Sequence, residues 1–503
     1  MPIRLAVCAA ALLFALAPAR ASEPTATVSL DDHVRVQGGV VRGARDGGDY
    51  VFRGIPFAAP PTGPLRWQPP GPVSPWPDVR DATKPAPACL QKSETWNHAS
   101  YLYASEDCLT LDVRTPSLEG KWPVMVWIHG GSNRSGSSNG PADSNMTDHG
   151  VVHVGVQYRL GLLGFMSHPA LSAEQGGTSG NYALMDQIAA LRWVQDNIGR
   201  FGGDPGNVTI YGESAGSQDV SLLLAAPTAQ GLFHKAILQS GTPGFGMTFR
   251  TLAEAEAVGL QLDRLAEADG DLARLRALSP VALLDLQQQV ADPAAEGGRS
   301  TWLRITIDGK VLPEAPDRLI ARHAPKPVMI GVDKVEFGPS DDSGDLLALA
   351  ETWFPGRGAE ALATYRAETA PDPRRGHLAM RIQSDGEFHC PADRLADLLA
   401  ANAWPTWFYE FDVGENGGLT RHAYEVGFVF DRRPAGGGAR MQDYWAAFAI
   451  TGDPNGRTAI SEPRPRWQRW IPGRPRQMFF GGEKSGMIAG KPRAEFCRFA
   501  TAF

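Results

Sequence analysis

A chain of 503 residues, 43% hydrophobic and 20% charged, has the make-up of a globular protein with a sizeable core. Its formal net charge is −7, with acids and bases mixed along the chain. That excludes the basic stripe a nucleic-acid partner wants and offers no polybasic membrane patch.

The first residues read as a leader. "MPIR" gives a positive start, "LAVCAAALLFALA" a short apolar run, and Ala19-Arg20-Ala21 a small-residue cleavage site before Ser22. Residues 1–21 are therefore expected to be a signal peptide and 22–503 the mature, secreted or periplasmic protein. No later run has the length of a membrane span. Cleavage discards Cys8 and leaves Cys89, Cys108, Cys390 and Cys497. An even number in an oxidising compartment predicts two disulfides, with three pairings open. With no C-x-x-C or H-E-x-x-H in the sequence, no metal site is expected.

Short apolar runs then alternate with helical patterns, the sign of an α/β sheet. "PVMVWI" (123–128), "VVHVGV" (151–156), "NVTIY" (207–211), "KAILQ" (235–239), "KPVMIGV" (326–332) and "TWFYEF" (406–411) read as buried strands. Between the second and third, Leu184, Ile188, Leu191, Val194 and Ile198 recur every three or four positions, which predicts a helix with one buried face. Residues 250–325 and 340–400 are Ala/Leu-rich and helical, and are expected to be insertions covering the sheet of one α/β domain.

Two stretches fit G-x-S-x-G: Gly212-Glu213-Ser214-Ala215-Gly216 and Gly136-Ser137-Ser138-Asn139-Gly140. A nucleophilic serine needs a strand ending at the motif and a helix starting from it, so that the turn lifts the hydroxyl above the sheet edge. Ser214 has "NVTIY" before it and "AGSQDVSLLLAAP" after it. Ser138 sits among turn residues with neither. Ser214 is the candidate.

A serine hydroxyl attacks only when a base takes its proton, and an acid must orient that base. On this fold the order is Ser, acid, His, and both partners leave the C-terminal ends of strands. His234 and His323 precede strands, and His377 and His389 lie in or beside helical sequence. His422 follows "TWFYEF" through a Gly-rich loop and is the candidate base. The acid should follow "KPVMIGV", where spacing leaves both Asp333 and Glu336 open. Oxyanion donors are expected from the Ala215 N–H and from the loop after "PVMVWI", where Gly130 and Gly131 let amides approach a carbonyl.

Taken together these residues resemble the type-B carboxylesterase and cholinesterase family of α/β-hydrolases. "FRGIPFAAPPTGPLRWQPP", "ASEDCLTLDVRTP", "YRLGLLGF", "GNYALMDQIAALRWVQDNIGRFGGDPGNVTIYGESAGS", "AILQSG" and "WAAFAITGDPNG" carry the likeness from about Val34 to the C-terminus. The resemblance implies an α/β-hydrolase fold with Ser214 as nucleophile, Glu336 as acid and His422 as base. It implies Gly131, Ser132 and Ala215 at the oxyanion hole, and the pairs Cys89–Cys108 and Cys390–Cys497. Three departures stand out: Ser132 where the family usually has a third glycine, Phe337 where Gly usually follows the acid, and Val335 where an acidic residue usually precedes it.

The chemistry so implied is acyl transfer on a small-molecule ester, with no metal or organic cofactor. Glu213 is a second carboxylate near the site, expected either in a hydrogen-bonding role toward Ser240 or as a charge that favours a cationic leaving group or holds His422 charged, and Trp96 is expected to line the approach. The alternatives are an esterase specialised for a polyester, lactone, toxin or choline ester, and a non-catalytic binding relative. The sequence fixes neither the acyl and alcohol groups nor an oligomeric state.

Overall fold

A computed structural model describes residues 32–94, 96–294, 301–481 and 484–501. The expected leader 1–21 lies outside the described residues. Eleven strands form one sheet. In chain order they are β1 (Ala44–Asp46), β2 (Asp49–Pro56), β3 (Thr110–Thr115), β4 (Trp122–Ile128), β5 (Val152–Val156), β6 (Gly203–Glu213), β7 (Lys235–Gln239), β8 (Val328–Asp333), β9 (Thr406–Asp412), β10 (Arg476–Gly481) and β11 (Gly486–Ala489). Their spatial order is β1-β2-β3-β5-β4-β6-β7-β8-β9-β10-β11. Neighbours from β5 through β10 run parallel, and both flanks are antiparallel.

Parallel strands must bury both faces, and alternation along each strand divides their side chains between two cores. Val124, Val126 and Ile128 of β4 face one side with Ile210, Leu238, Ile330 and Phe408. Met125 and Trp127 face the other with Tyr211, Ile237, Met329 and Trp407. On the first side lie α1 (Tyr182–Asn197), whose Leu184, Ile188, Leu191 and Val194 are all buried, and α2 (Ala215–Ala225), buried along its whole length. On the second lies α4 (Met441–Thr451), through Tyr444, Trp445 and Phe448.

Among the described residues of 250–325 the helices are Leu252–Leu265, Leu272–Ala277, Pro280–Gln287 and Pro316–Ile320, and the stretch 301–315 between the last two is not helical. Leu252–Leu265 is opened by a reciprocal cap. Thr251 Oγ1 accepts the Glu254 N–H at 3.2 Å, and Glu254 Oε2 accepts the Thr251 N–H at 2.7 Å. The region 340–400 divides in two. Its first helices build a separate cluster, with Trp353, Leu362 and Tyr365 against Phe496 and Phe499. Its last helix, α3 (Cys390–Ala401), packs on the sheet itself through Leu395 and Leu399 and is the crossover from β8 to β9. Cys390 is disulfide-bonded to Cys497, and Cys89 to Cys108.

Candidate active site

β6 ends at Glu213 and α2 begins at Ala215, so Ser214 occupies the turn between them with φ 56° and ψ −126°. That conformation costs a residue with a Cβ about 1–3 kcal/mol and persists only where surrounding contacts impose it. They do. A Cβ on Gly212 would lie 2.6 Å from Ile128 O, and one on Gly216 would lie 2.0 Å from the same oxygen. Both flanking glycines are thus required for strand β4 to pass beneath the turn. The Ser214 N–H donates to Gln239 O at 2.9 Å, and its carbonyl accepts the Gln218 N–H at 2.9 Å. The side chain is recessed but not sealed, with 8% of its surface exposed. Ser138 follows no strand and is buried at the start of a short helix.

Of the two carboxyls after β8, only Glu336 reaches the imidazole. Glu336 Oε2 lies 2.6 Å from His422 Nδ1, and Oε1 accepts the Asp333 N–H at 2.8 Å. The turn is clasped by Ser384, whose Oγ accepts the Glu336 N–H at 3.1 Å and donates to Phe337 O at 3.0 Å. Asp333 ends the strand pointing elsewhere and accepts the Tyr424 N–H at 3.3 Å. Complete burial, together with the neighbouring carboxyls Glu425 and Glu336, raises its carboxyl well above the usual range.

His422 leaves the loop after β9 on the same rim. Its Nε2 lies 3.0 Å from Glu213 Oε1. Both atoms are buried, and neither has a hydrogen-bond partner among the described residues. In this conformation no hydrogen bond joins Nε2 to Ser214 Oγ. Glu213, which contacts Nε2, and Ser214 border the same space: a side chain built on Gly130 would meet Glu213 Oε2 at 2.8 Å and Ser214 Cβ at 3.0 Å. The expected contact of Glu213 with Ser240 does not form. Ser240 Oγ instead accepts the Asp333 N–H at 3.3 Å, since Ser240 follows β7 and faces β8, the next strand.

Charge is concentrated here. Burial opposes a charged imidazole, but Glu213, Glu336 and Glu425 together outweigh it and push His422 up to about 9. Burial pushes Glu213 up to about 8 against the pull of His422, with Glu425 and Glu336 adding to the rise.

The loop after β4 takes three consecutive residues through the left-handed region: Gly131 (φ 114°), Ser132 (φ 54°) and Asn133 (φ 55°). A Cβ at Gly131 would lie 2.1 Å from Ser135 O, so glycine is required there. Ser132 tolerates the conformation at a cost of about 1–2 kcal/mol. The turn is closed by the Arg134 and Ser135 N–H groups, both donating to Gly131 O at 3.1 Å. The N–H groups of Gly131, Ser132 and Ala215 find no acceptor among the described residues. Trp96 is 61% exposed, and its ring edge stands 3.0 Å from the Cβ position of Gly131, at the mouth of this loop.

Sequence reasoning did not find three supporting residues. Buried Asn133 accepts the Gly161 N–H on its carbonyl and reaches Gln218 Oε1 on α2 at 3.3 Å, tying the amide loop to the helix that follows Ser214. Gln239 accepts the Trp445 indole N–H at 3.0 Å and donates to Glu425 Oε1 at 3.3 Å. Of these, only the position of Glu425, three residues after His422, carried a signal in the sequence. Beside the imidazole a cavity of about 660 Å³ is lined by Glu336, Phe337, Met380, Leu419 and Tyr424.

A mostly parallel sheet flanked by helices, with a strained serine at the β6–α2 turn, defines an α/β-hydrolase. The model of the carboxylesterase family matches residues 30–345 and 353–500, and the chain belongs to that family. Fumonisin B1 esterase of Sphingopyxis macrogoltabida is 35% identical over 460 residues, covering 85% of this chain and 83% of the relative. Para-nitrobenzyl esterase of Bacillus subtilis (strain 168) is 35% identical over 455 residues, covering 84% and 90%. Among solved structures, a PNB esterase superposes with a TM-score of 0.77 at 30% identity, over 94% of this chain and 100% of the other. A thermophilic PNB esterase gives 0.78 at 30%, with the same coverage. The protein is a carboxylic-ester hydrolase of the serine type.

Proposed function

We propose that this esterase is exported and works through Ser214, Glu336 and His422 by way of an acyl-enzyme. His422 Nε2 takes the Ser214 proton as Oγ adds to the ester carbonyl. The resulting oxyanion is received by the N–H groups of Gly131, Ser132 and Ala215, the last at the positive end of α2. The imidazolium, held by Glu336 at Nδ1, then protonates the departing alcohol. Water deprotonated by the same nitrogen cleaves the acyl-enzyme and frees the acid.

The observation that carries this reading is the pairing of a 2.6 Å Glu336–His422 contact at Nδ1 with a buried Nε2, 3.0 Å from Glu213 Oε1, on the rim where Ser214 is lifted. Turnover of p-nitrophenyl acetate tests it. Loss of turnover in Ser214→Ala and His422→Ala, with folding intact, supports the triad, and retention in either defeats it. Export is supported by the leader-like residues 1–21 and by two disulfides, which persist in oxidising compartments. Among the described residues no helix is long and apolar enough to cross a membrane. We read 22–503 as a single domain whose 250–325 and early 340–400 segments are insertions. Relatives named for fumonisin B1 and for para-nitrobenzyl esters make both compounds the first members of a substrate panel.

A further inference from the structure

Phe337 stands directly after the acid, where the family resemblance leads one to expect glycine. Its φ is negative, so the turn runs without a left-handed residue. Its ring lies over the imidazole of His422, centroids 4.2 Å apart and planes inclined at 38°. A second ring, Phe388, meets the same imidazole at 5.0 Å and 56°, and the two phenylalanines touch each other at 5.8 Å. Phe388 is buried and braced by Phe245 at 5.4 Å. It comes from a π-helical turn, Asp385–His389, which follows directly on Ser384, the residue that clasps the acid turn. One element therefore fixes both the acid and the second ring.

Resting on the reading of His422 as the base, we infer that Phe337 and Phe388 form an aromatic clamp that positions the imidazole and stabilises the imidazolium formed when Ser214 is deprotonated. Phe337 is the adjustable member. An aromatic face carries negative charge density and attracts a cation lying over it. In its reactive, neutral form the base gains a positive charge on taking the serine proton, so from that form the attraction grows along the reaction and favours the transition state. The clamp also keeps water off the Nδ1–Glu336 bond, which strengthens in a drier setting. The other charges facing His422 are all acidic: Glu213 from β6, Glu336 from the turn after β8, and Glu425 three residues on. Arg421 precedes it in the chain and lines the adjoining cavity. None of these packs against the imidazole as the two phenylalanine rings do, which meet each other at 5.8 Å and enclose one side of it.

The test compares Phe337→Leu, Phe337→Gly and Phe337→Tyr in the full-length enzyme, following kcat, KM and the pH dependence of kcat/KM on p-nitrophenyl acetate. Phe337 is 39% exposed, so these variants are expected to fold, with circular dichroism as the check. The clamp predicts that Leu and Gly lower kcat by about five- to tenfold with KM within about twofold, and move the acid limb down by about half a pH unit. Tyr should restore both. A change in KM alone with the limb unmoved, or a Tyr variant that behaves like Leu, would overturn the clamp and leave Phe337 as a wall of the cavity. Wild-type turnover and its loss in His422→Ala are measured alongside. If turnover survives in His422→Ala, the base assignment itself has failed, an outcome distinct from an unmoved limb in Phe337→Leu.

Discussion

Glu213 Oε1 sits 3.0 Å from His422 Nε2, on the side of the ring that must face the nucleophile. With Glu336 at Nδ1, the imidazole lies between two carboxyl groups, and its proton is held up to about 9 despite burial. Only the neutral ring can accept the serine proton. The sign follows: kcat/KM should rise with pH through the range above 6.5, the ordinary imidazole value, toward about 9. Glu213→Gln removes one of the groups that raise the base, so its acid limb should fall at lower pH than that of the wild type. A pH–rate series on both proteins, corrected for spontaneous ester hydrolysis, checks this. Coincident limbs would mean that Glu213 does not act on the base.

Asp333 and Glu336 leave the same strand three residues apart and offer opposite predictions. Glu336 touches the imidazole, whereas burial and its acidic neighbours raise the Asp333 carboxyl well above the usual range. Glu336→Gln should lower kcat by about 10³-fold or more, because the amide cannot stabilise the imidazolium. Asp333→Asn leaves the Glu336–His422 contact in place and puts an amide where burial already disfavours charge, so kcat should stay within about tenfold of the wild type. The reverse ranking would reassign the acid.

These two carboxyls also show where the sequence stops being informative. Strands buried on both faces are continuous apolar runs, so the core of the sheet could be read directly, and the turn at Ser214 could be placed from a strand and a helix meeting at two glycines. The position of His422 on the same rim could be placed from the strand β9 before it. Residue spacing could not rank Asp333 against Glu336, since both follow the strand. Their separation depends on the turn clasped by Ser384, a residue 48 positions away. Asn133 and Gln239 were illegible for the same reason: a buried amide acts through partners that only the tertiary structure supplies. The helical pattern in 390–401 showed a helix but not what it would pack on, and α3 lies on the sheet.

Gly131 and Ser132 are neighbours with opposite tolerance. A Cβ at 131 would stand 2.1 Å from Ser135 O, while 132 already carries a side chain at φ 54°. Gly131→Ala should displace the amide loop and lower kcat by about 10²-fold or more, the effect expected for a lost oxyanion donor. Ser132→Ala keeps the backbone amide and should leave both melting temperature and kcat near wild type. Steady-state kinetics and thermal melts on the two variants decide it, and a larger kcat loss at 132 would assign the serine hydroxyl a direct part in the reaction.

The two disulfides should contribute unequally and by different routes. Cys390–Cys497 closes a separation of 107 residues and joins α3 to the C-terminal segment, whereas Cys89–Cys108 closes only 19. A cross-link stabilises by restricting the unfolded chain, by about 3 kcal/mol for a short loop and nearer 5 kcal/mol for one of about a hundred residues. Replacing both cysteines of the 390–497 pair by serine should therefore cost more stability in urea unfolding than replacing the 89–108 pair. The shorter loop carries Trp96, whose ring stands at the mouth of the amide loop beside Gly131. Its opening frees that ring, so the 89–108 variant should show a raised KM while kcat at saturating substrate holds, and the 390–497 variant should show neither change below its unfolding transition. An unchanged KM in the first variant would mean that Trp96 is held by packing independent of the disulfide, or that it makes no contact with substrate.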